Sequence, residues 1–215
     1  CSLLVTGCAV LLALLLTASS AAAAPPAGVV VLKDRCHHDS PQLSSGSSTP
    51  LIAQEATQSY SGTTRSAMRF VVSSLDLTTS GRYCQAVNNT VPDFISTTAG
   101  SNVTCATSDA VLTDAKRTVL LSRVVPLALQ WLTARLAVVP VSGNLALNTQ
   151  GCGLYTMPTG AVSGADTLVL VSAAPVASPL NASEWVRGAV CQYDQNGRPT
   201  VIVLNVAPDV ISASV

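Results

Sequence analysis

The sequence has little charge, few aromatic residues and almost no histidine. Of its 215 residues 10% are charged and 4% aromatic, and eleven basic residues balance eleven acidic ones. Without an excess of basic residues no binding to nucleic acid is expected. The two histidines, His37 and His38, are adjacent. Adjacent side chains of an extended segment point to opposite faces, so they do not easily chelate one metal with Cys36, and no histidine is placed for a serine triad.

What the sequence does have is an apolar N-terminal run. It extends from Leu3 to Leu16 and is followed by small residues and by Pro25-Pro26. This is the pattern of a secretory signal peptide, which we assign to residues 1–24. A transmembrane helix would need about 20 apolar residues, and a lipoprotein motif at Thr6-Gly7-Cys8 is disfavoured because the apolar run continues past the cysteine. A basic start is missing and residue 1 is cysteine, so we expect the true N-terminus to lie further upstream.

Three glycosylation sequons agree with export. They begin at Asn88, Asn102 and Asn181, and such motifs are modified in secreted chains. The chain is therefore predicted to enter the secretory pathway and to be secreted or held at the cell surface. In that oxidising compartment disulfide bonds are expected.

The segment after the signal, residues 25–66, is rich in Ser, Thr, Pro and Gly and has no sustained periodicity. We interpret it as a flexible pro-segment, and order is expected to begin near Met68. From there residues 67–215 have the capacity for one core. Apolar runs predict strands at residues 69–75, 136–139, 167–171 and 200–204, with a turn at residues 195–199.

One long helix is expected between these strands. Thr113 suits its N-cap, and apolar residues recur at helical spacing from Leu120 to Leu136. Pro126 lies inside the helix and predicts a kink, and Trp131 is expected to pack in the core. The fold class is therefore α/β (α+β): a mixed sheet with a long kinked helix packed on it.

The number of cysteines after the predicted signal peptide is odd, so one of them has no partner for a disulfide within the chain. Of seven cysteines, Cys1 and Cys8 lie in the signal, which leaves five. Four lie within the expected folded region, as two sequence-local pairs, while Cys36 stands apart upstream. An odd cysteine in a secreted chain indicates an intermolecular disulfide or a free reactive thiol, and a thiolate on a pro-segment is also a zinc ligand.

Candidate acid and base residues are less informative. Asp166, Glu184 and Asp194 are scattered along the sequence and form no recognisable pair. We expect them to lie on a solvated surface.

Several short segments between Met68 and Ile211 resemble, in the same order, those of the leishmanolysin family, the surface zinc metalloproteases of trypanosomatids. Upstream, Arg35-Cys36-His37-His38-Asp39 resembles the family's pro-segment cysteine switch. The order and spacing of the segments together make the resemblance specific. The segments are Arg82-Tyr83-Cys84, Val103-Thr104-Cys105, Val111 to Arg117, Val125 to Leu129, Arg135 to Val138, Cys152-Gly153, Ala165-Asp166, Trp185, Cys191-Gln192, Asn196 to Pro199 and Val203 to Asn205.

The resemblance implies the N-terminal part of a metzincin-like peptidase domain, residues 67–215. It implies a zinc metalloendopeptidase that takes protein or peptide substrates at the cell surface. A role in cell adhesion and membrane association through a C-terminal anchor missing from this chain are also implied. It also implies that Cys36 is the inhibitory zinc ligand of the latent form. Together with sequence-local pairing, it predicts the disulfides Cys84–Cys105 and Cys152–Cys191.

The chain departs from the family in one respect that bears on activity. The family's His-Glu-x-x-His helix is expected just beyond Val215, so no catalytic residue is assigned here and the 215-residue chain alone is predicted to hold no zinc and to be inactive. The segment from Met157 to Ala161 also lacks a histidine that the family often has. The alternative is a degenerate, non-catalytic surface glycoprotein that binds or adheres.

Overall fold

The computed structural model describes residues 54–94, 100–148, 150–176 and 185–212. Within them a five-stranded sheet is the main element, and a long helix packs on it. The strands are β1 (Gln54–Glu55), β2 (Ser66–Ala67), β3 (Phe70–Ser73), β4 (Thr90–Pro92), β5 (Asn102–Thr104), β6 (Ala137–Val138), β7 (Thr167–Ser172), β8 (Val186–Tyr193) and β9 (Pro199–Val206). The helices are α1 (Leu75–Thr78), α2 (Asp114–Val119), a π-helical turn (Leu120–Val124), α3 (Val125–Thr133) and a 3₁₀ turn (Pro208–Val210).

The main sheet has the strand order β1-β8-β9-β7-β3. Its strands β3, β7 and β9 are parallel, β8 runs antiparallel to β9, and β1 runs parallel to β8. Two small antiparallel sheets, β2 with β6 and β4 with β5, lie outside it. The predicted α+β class with a mixed sheet is therefore confirmed.

The central strands are buried on both faces. Every residue of β7 is buried, and its side chains alternate between two apolar clusters. Leu168 and Leu170 join the cluster that contains both disulfides, whereas Val169 and Val171 join the cluster that the helix covers. This alternation is the period of two expected of a strand, and it places the sheet between a helical layer and a disulfide-linked layer.

The helix begins where the sequence predicts. The Thr113 side chain accepts a hydrogen bond from the Lys116 amide at 3.3 Å and so caps α2. The α-helical hydrogen-bond pattern is interrupted at the π-helical turn, where the Val125 amide bonds the Leu120 carbonyl five residues back. Pro126 follows at once. Because proline has no N–H and its ring crowds the preceding turn, the backbone pattern changes at the place where the kink is predicted.

Three sequence-based expectations need correction. Trp131 belongs to neither buried cluster, and the Arg135 guanidinium lies over its ring, 3.2 Å from the centroid. Order does not begin at Met68, because β1 and β2 precede it. Strand β8 and the β4–β5 hairpin were not predicted. None of the described helices is long and apolar enough to cross a membrane.

Candidate functional site

The residues proposed as metal ligands do not come together in the described part of the chain. Cys36, His37 and His38 lie outside it, as do the signal segment, Asn181 and Glu184. The described ranges contain no group of three or more His, Cys, Asp or Glu residues that could hold a metal ion. These residues therefore do not fit a catalytic zinc site, and no catalytic step is derived from them.

Both predicted disulfides are present. Cys84 and Cys105 are joined with their Cα atoms 5.8 Å apart, and Cys152 and Cys191 with theirs 5.7 Å apart. Each closes a loop, of sequence separation 21 and 39 respectively, and such loops correspond to about 3–4 kcal/mol in the chain-entropy account. All four cysteines are buried in the same apolar cluster. The Cys152–Cys191 bridge attaches the loop at Cys152 to β8 of the main sheet, whereas the Cys84–Cys105 bridge closes the loop that contains β4.

Two of the sequon asparagines can be located. Asn88 is exposed, with a positive φ of 67° in the turn before β4, and Asn102 is exposed at the start of β5. Both lie in the loop that the Cys84–Cys105 disulfide closes. Glycans on them would extend into solvent, and their modification remains a prediction.

Asp166 is buried, contrary to the expectation of a solvated carboxylate. Both of its oxygens accept hydrogen bonds from the Arg69 side chain, at 2.9 and 3.0 Å, and one also accepts from the Val141 amide at 2.7 Å. Burial alone would raise the pKa of Asp166, but these hydrogen bonds outweigh burial and hold the pKa below its ordinary value. The carboxylate thus ties β3 to the start of β7 and to the loop at Val141.

Asp194 is also buried, and it shapes the hairpin between β8 and β9. Its Oδ1 accepts hydrogen bonds from the Asn196 and Arg198 amides, both at 2.8 Å. The Arg198 guanidinium forms an ion pair with Oδ2 at 3.1 Å. Gly197 has a φ of 72°, a conformation that glycine adopts without a steric penalty, so the predicted turn is closed by one carboxylate and one glycine.

A third buried carboxylate, Asp76, joins helix α1 to the loop after Cys152. It accepts a hydrogen bond from Arg82 Nε at 2.8 Å, and from the Thr156 amide and hydroxyl at 2.9 and 2.6 Å. All its contacts are to groups of the fold, so Asp76 is a structural residue.

The segment of residues 54–61, here called the strap, crosses from the edge of the main sheet to the loop at residues 140–148. Gln58 is its buried anchor, 3% exposed. The Gln58 side chain donates to the Ala146 carbonyl at 2.6 Å and accepts from the Ala146 amide at 2.9 Å. Its backbone makes a reciprocal pair with the Gln195 side chain, with both distances 2.8 Å. One residue therefore holds the strap to two separate loops.

Tyr60 is the second anchor of the strap. Its hydroxyl donates to Asp194 Oδ2, and the Arg198 guanidinium lies over its ring, 4.9 Å from the centroid. Burial, followed by the hydrogen bond to Asp194, raises the pKa of the Tyr60 hydroxyl above its ordinary value. The amides of Ser61 and Ser142 add backbone bonds to Pro140 and Ser59, at 3.0 and 2.8 Å. Clamped at both anchors, the strap is part of the folded unit.

The upstream end of the strap pairs with an edge of the sheet. Gln54 and Glu55 of β1 lie in parallel register with Gln192 and Tyr193 of β8, and the Ala56 amide donates to the Tyr193 carbonyl at 2.8 Å. Strand β1 has two residues and β8 has eight. In the described part of the chain the rest of this edge of β8 has no strand beside it.

Little in the sequence predicts the contacts of the strap or the burial of the three carboxylates. Gln58 and Tyr60 lie in a polar stretch without periodicity, and a carboxylate next to a strand does not reveal whether an arginine meets it in space. The signal available was local: Asp194 followed by Asn-Gly-Arg is a turn pattern in which an aspartate bonds nearby amides. The long-range contacts of Asp166 and Gln58 have no counterpart in the sequence.

Comparison with known proteins gives consistent matches. The family model described as peptidase M8, leishmanolysin, matches residues 18–215. The leishmanolysin of Leishmania major is 30% identical over 191 residues, which are 79% of this chain and 30% of that protein. The leishmanolysin of Leishmania amazonensis is 33% identical over 147 residues, 65% of this chain and 23% of that protein. A leishmanolysin homolog of Crithidia fasciculata is 31% identical over 153 residues, 66% of this chain and 22% of that protein.

The matched region covers only part of these relatives. The chain spans between 22% and 30% of their length. The comparisons therefore concern the region that the chain shares with them.

Proposed function

The chain belongs to the leishmanolysin family, and from this premise we propose that its parent protein is a zinc metalloendopeptidase. The observation that carries the proposal is the match of the family model to residues 18–215. Protein or peptide chains are the proposed substrates. The zinc ion would come with ligands outside the residues described here, since these contain no group able to hold a metal ion.

The proposed arrangement of the parent places three parts in sequence. Residues 1–24 are a signal peptide, residues 25–66 a pro-segment and residues 67–215 the first part of the peptidase domain. The strap, residues 54–61, then forms the docked end of the pro-segment. The apolar N-terminal run, two exposed sequons and two disulfides support a cell-surface or secreted protein. A role in adhesion and a membrane anchor outside this chain are further parts of the proposal.

Cys36 is the residue proposed to keep the parent peptidase inactive before activation. We propose that its thiolate binds the zinc ion of the parent and displaces the water needed for peptide hydrolysis, because zinc binds deprotonated sulfur strongly. The alternatives are an idle thiol and an intermolecular disulfide. The pairing of the other four folded-region cysteines supports the proposal, because it leaves Cys36 without a partner among them.

Expression of the parent reading frame tests the activity. The sequence after Val215 should encode His-Glu-x-x-His within about 20 residues, and the purified protein should cleave casein in a way that a zinc chelator abolishes and added zinc restores. A matched control replaces the glutamate of that motif by glutamine. A broken motif together with no cleavage would instead identify the degenerate surface glycoprotein.

The 215-residue chain by itself is expected to be inactive. A catalytic zinc site needs several protein ligands in one place. Outside the predicted signal segment and the two disulfides, this chain offers one thiol, Cys36, and two adjacent histidines. Equilibrium dialysis should find no tight zinc binding, and casein should remain intact. Chelator-sensitive cleavage by the pure chain would contradict this prediction.

A further inference from the structure

The turn between β8 and β9 contains Asn196-Gly197, the only asparagine of the chain that glycine follows. Asn196 is exposed, and Gly197 has a φ of 72°. Asparagine is one of the thermolabile residues of proteins, because the next backbone amide can attack its side chain. Glycine has no Cβ to crowd that attack. Asn196 therefore combines access to solvent with the neighbour that hinders its reaction least.

We propose that Asn196 deamidates spontaneously, at a rate set by the turn and by Tyr60. The Gly197 amide nitrogen gives up its proton to a solvent base and bonds to Cγ of Asn196, which closes a succinimide ring. The Cγ–Nδ2 bond breaks, and the departing nitrogen takes up a proton and leaves as ammonia. Water then opens the ring at either carbonyl and leaves aspartate or isoaspartate. Water is the only co-reactant, and no electrons are exchanged.

The folded turn opposes this reaction by holding the nucleophile. The Gly197 amide donates to the Asp194 carbonyl at 2.9 Å, and the Asn196 amide donates to Asp194 Oδ1 at 2.8 Å. These bonds retain the proton that the Gly197 nitrogen must lose, and they fix the backbone on both sides of the reacting carbon. The reaction therefore proceeds from a locally opened turn, so its rate follows the population of that open state.

Tyr60 holds the group that must leave. Its hydroxyl accepts a hydrogen bond from Asn196 Nδ2 at 3.3 Å and donates its own proton to Asp194 Oδ2. The strap is thus attached both to the reacting side chain and to the carboxylate that shapes the turn. Removing the hydroxyl frees the Asn196 side chain and loosens the turn, and both effects should speed the reaction.

The product should weaken the same contacts. A carboxylate at position 196 has no proton to donate, and the one proton of the Tyr60 hydroxyl is already donated to Asp194. The new carboxylate would therefore lose the hydrogen bond to Tyr60 and place a second negative charge near Asp194, whose ion-pair partner is Arg198. Isoaspartate would also lengthen the backbone within the turn. Deamidation is thus expected to loosen the strap at Tyr60.

The first test measures conversion in the complete 215-residue chain. Wild type and Tyr60→Phe are incubated at neutral pH below their unfolding temperatures, beside a synthetic peptide with the sequence of residues 193–200. Conversion at Asn196 is followed by peptide mapping with mass spectrometry. Tyr60→Phe should convert at least about fivefold faster than wild type, the factor that corresponds to ~1 kcal/mol, and the peptide faster still. Asn144, exposed but followed by Leu145, is the internal control and should stay unmodified.

The second test measures the effect of the product on the strap. Asn196→Asp reproduces one product, and Asn196→Gln is the matched neutral control. The amides of Gln58 and Ser61, which bond Gln195 Oε1 and the Pro140 carbonyl, should exchange hydrogen about fivefold faster in Asn196→Asp. In Asn196→Gln they should exchange as in wild type.

Retained disulfides and unchanged slow exchange in β7 would show that each variant is folded. Equal conversion in folded Tyr60→Phe and wild type, or none in either while the peptide converts, would overturn the proposal. Conversion of Asn144 as fast as that of Asn196 would also contradict it. Unchanged exchange of the strap amides in Asn196→Asp would refute the expected loosening of the strap.

Discussion

At the scale of single residues, buried carboxylates connect parts of this molecule that are distant in sequence. Asp166 meets Arg69, 97 residues away, and Asp76 meets Thr156, 80 residues away. Each carboxylate is buried and hydrogen-bonded on both oxygens, and a buried charge is tolerated only when it is paired in this way. Removing one partner therefore costs more than the pair itself contributes.

Asp166→Asn is predicted to destabilise the fold. The amide keeps the size of the side chain but presents an N–H₂ group to donors that need an acceptor, so Arg69 and the Val141 amide lose partners. We expect a loss of about 2–4 kcal/mol in the free energy of unfolding, moderated because Arg69 is partly exposed. Denaturant unfolding measures it. Asp114→Asn, at an exposed pair with Arg117, is the matched control and should change stability little.

Cys36→Ser is predicted to abolish latency in the parent. A serine hydroxyl is a poor zinc ligand compared with a thiolate, so the variant should cleave casein without prior activation, while wild type requires it. Thiol labelling gives a second readout: wild-type Cys36 should react slowly until zinc is chelated. A variant as latent as wild type, or a Cys36 thiol that reacts freely with zinc bound, would contradict the proposed ligand.

At the scale of elements, strands β3, β7 and β9 of the main sheet could be predicted from the sequence, whereas β1 and β8 could not. The runs at residues 167–171 and 200–204 are continuously apolar because both faces of β7 and β9 are covered. Strand β8 contains Arg187, Gly188 and Gln192 and lies near the margin of the sheet, so no such run marks it. The strap has even less signal, since its contacts are polar and come from loops far away in the sequence.

The N-cap of the helix offers a test at the same scale. Thr113→Ala removes the side-chain acceptor of the Lys116 amide at the start of α2 and should cost about 1 kcal/mol of stability. Thermal unfolding with a two-state analysis measures it. Thr113→Ser should retain most of the stability, and Thr118→Ala, at an exposed helical position, should not lower it. Equal stability of Thr113→Ala and wild type would show that the Thr113 cap does not stabilise the fold.

At the scale of the whole described molecule, two apolar clusters on opposite faces of one sheet are closed by different means. The helix covers one cluster with apolar side chains such as Leu120 and Val125. The other is covered by loops and by the β4–β5 hairpin, which contribute buried side chains such as Phe94, Leu145 and Tyr155. Two disulfides and the hydrogen bonds of Asp76, Asp166 and Asp194 hold these loops. The loop-covered layer therefore depends on disulfides and on the hydrogen bonds of buried carboxylates, whereas the helical layer is held mainly by apolar packing.

This asymmetry predicts how stability changes with pH. The pKa of Asp166 is lower in the folded chain than when unfolded, so its contribution is complete above its unfolded pKa of about 3.9 and is lost as the pH falls through the folded value. The pKa of Tyr60 is raised, so its contribution is complete below its unfolded pKa of about 10 and is lost as the pH rises through the folded value. These two residues therefore contribute no change in stability between the two limits.

Two variants test which residues cause the fall in melting temperature at acidic pH and at alkaline pH. Asp166→Asn should have a lower melting temperature at neutral pH and a shallower fall below about pH 4, because it no longer binds a proton at that position. Tyr60→Phe should likewise lose the part of the alkaline fall above about pH 10 that belongs to the hydroxyl. The free thiols are alkylated beforehand so that disulfide exchange does not contribute at high pH. If both variants keep the full wild-type slopes, neither residue is the source of the pH dependence.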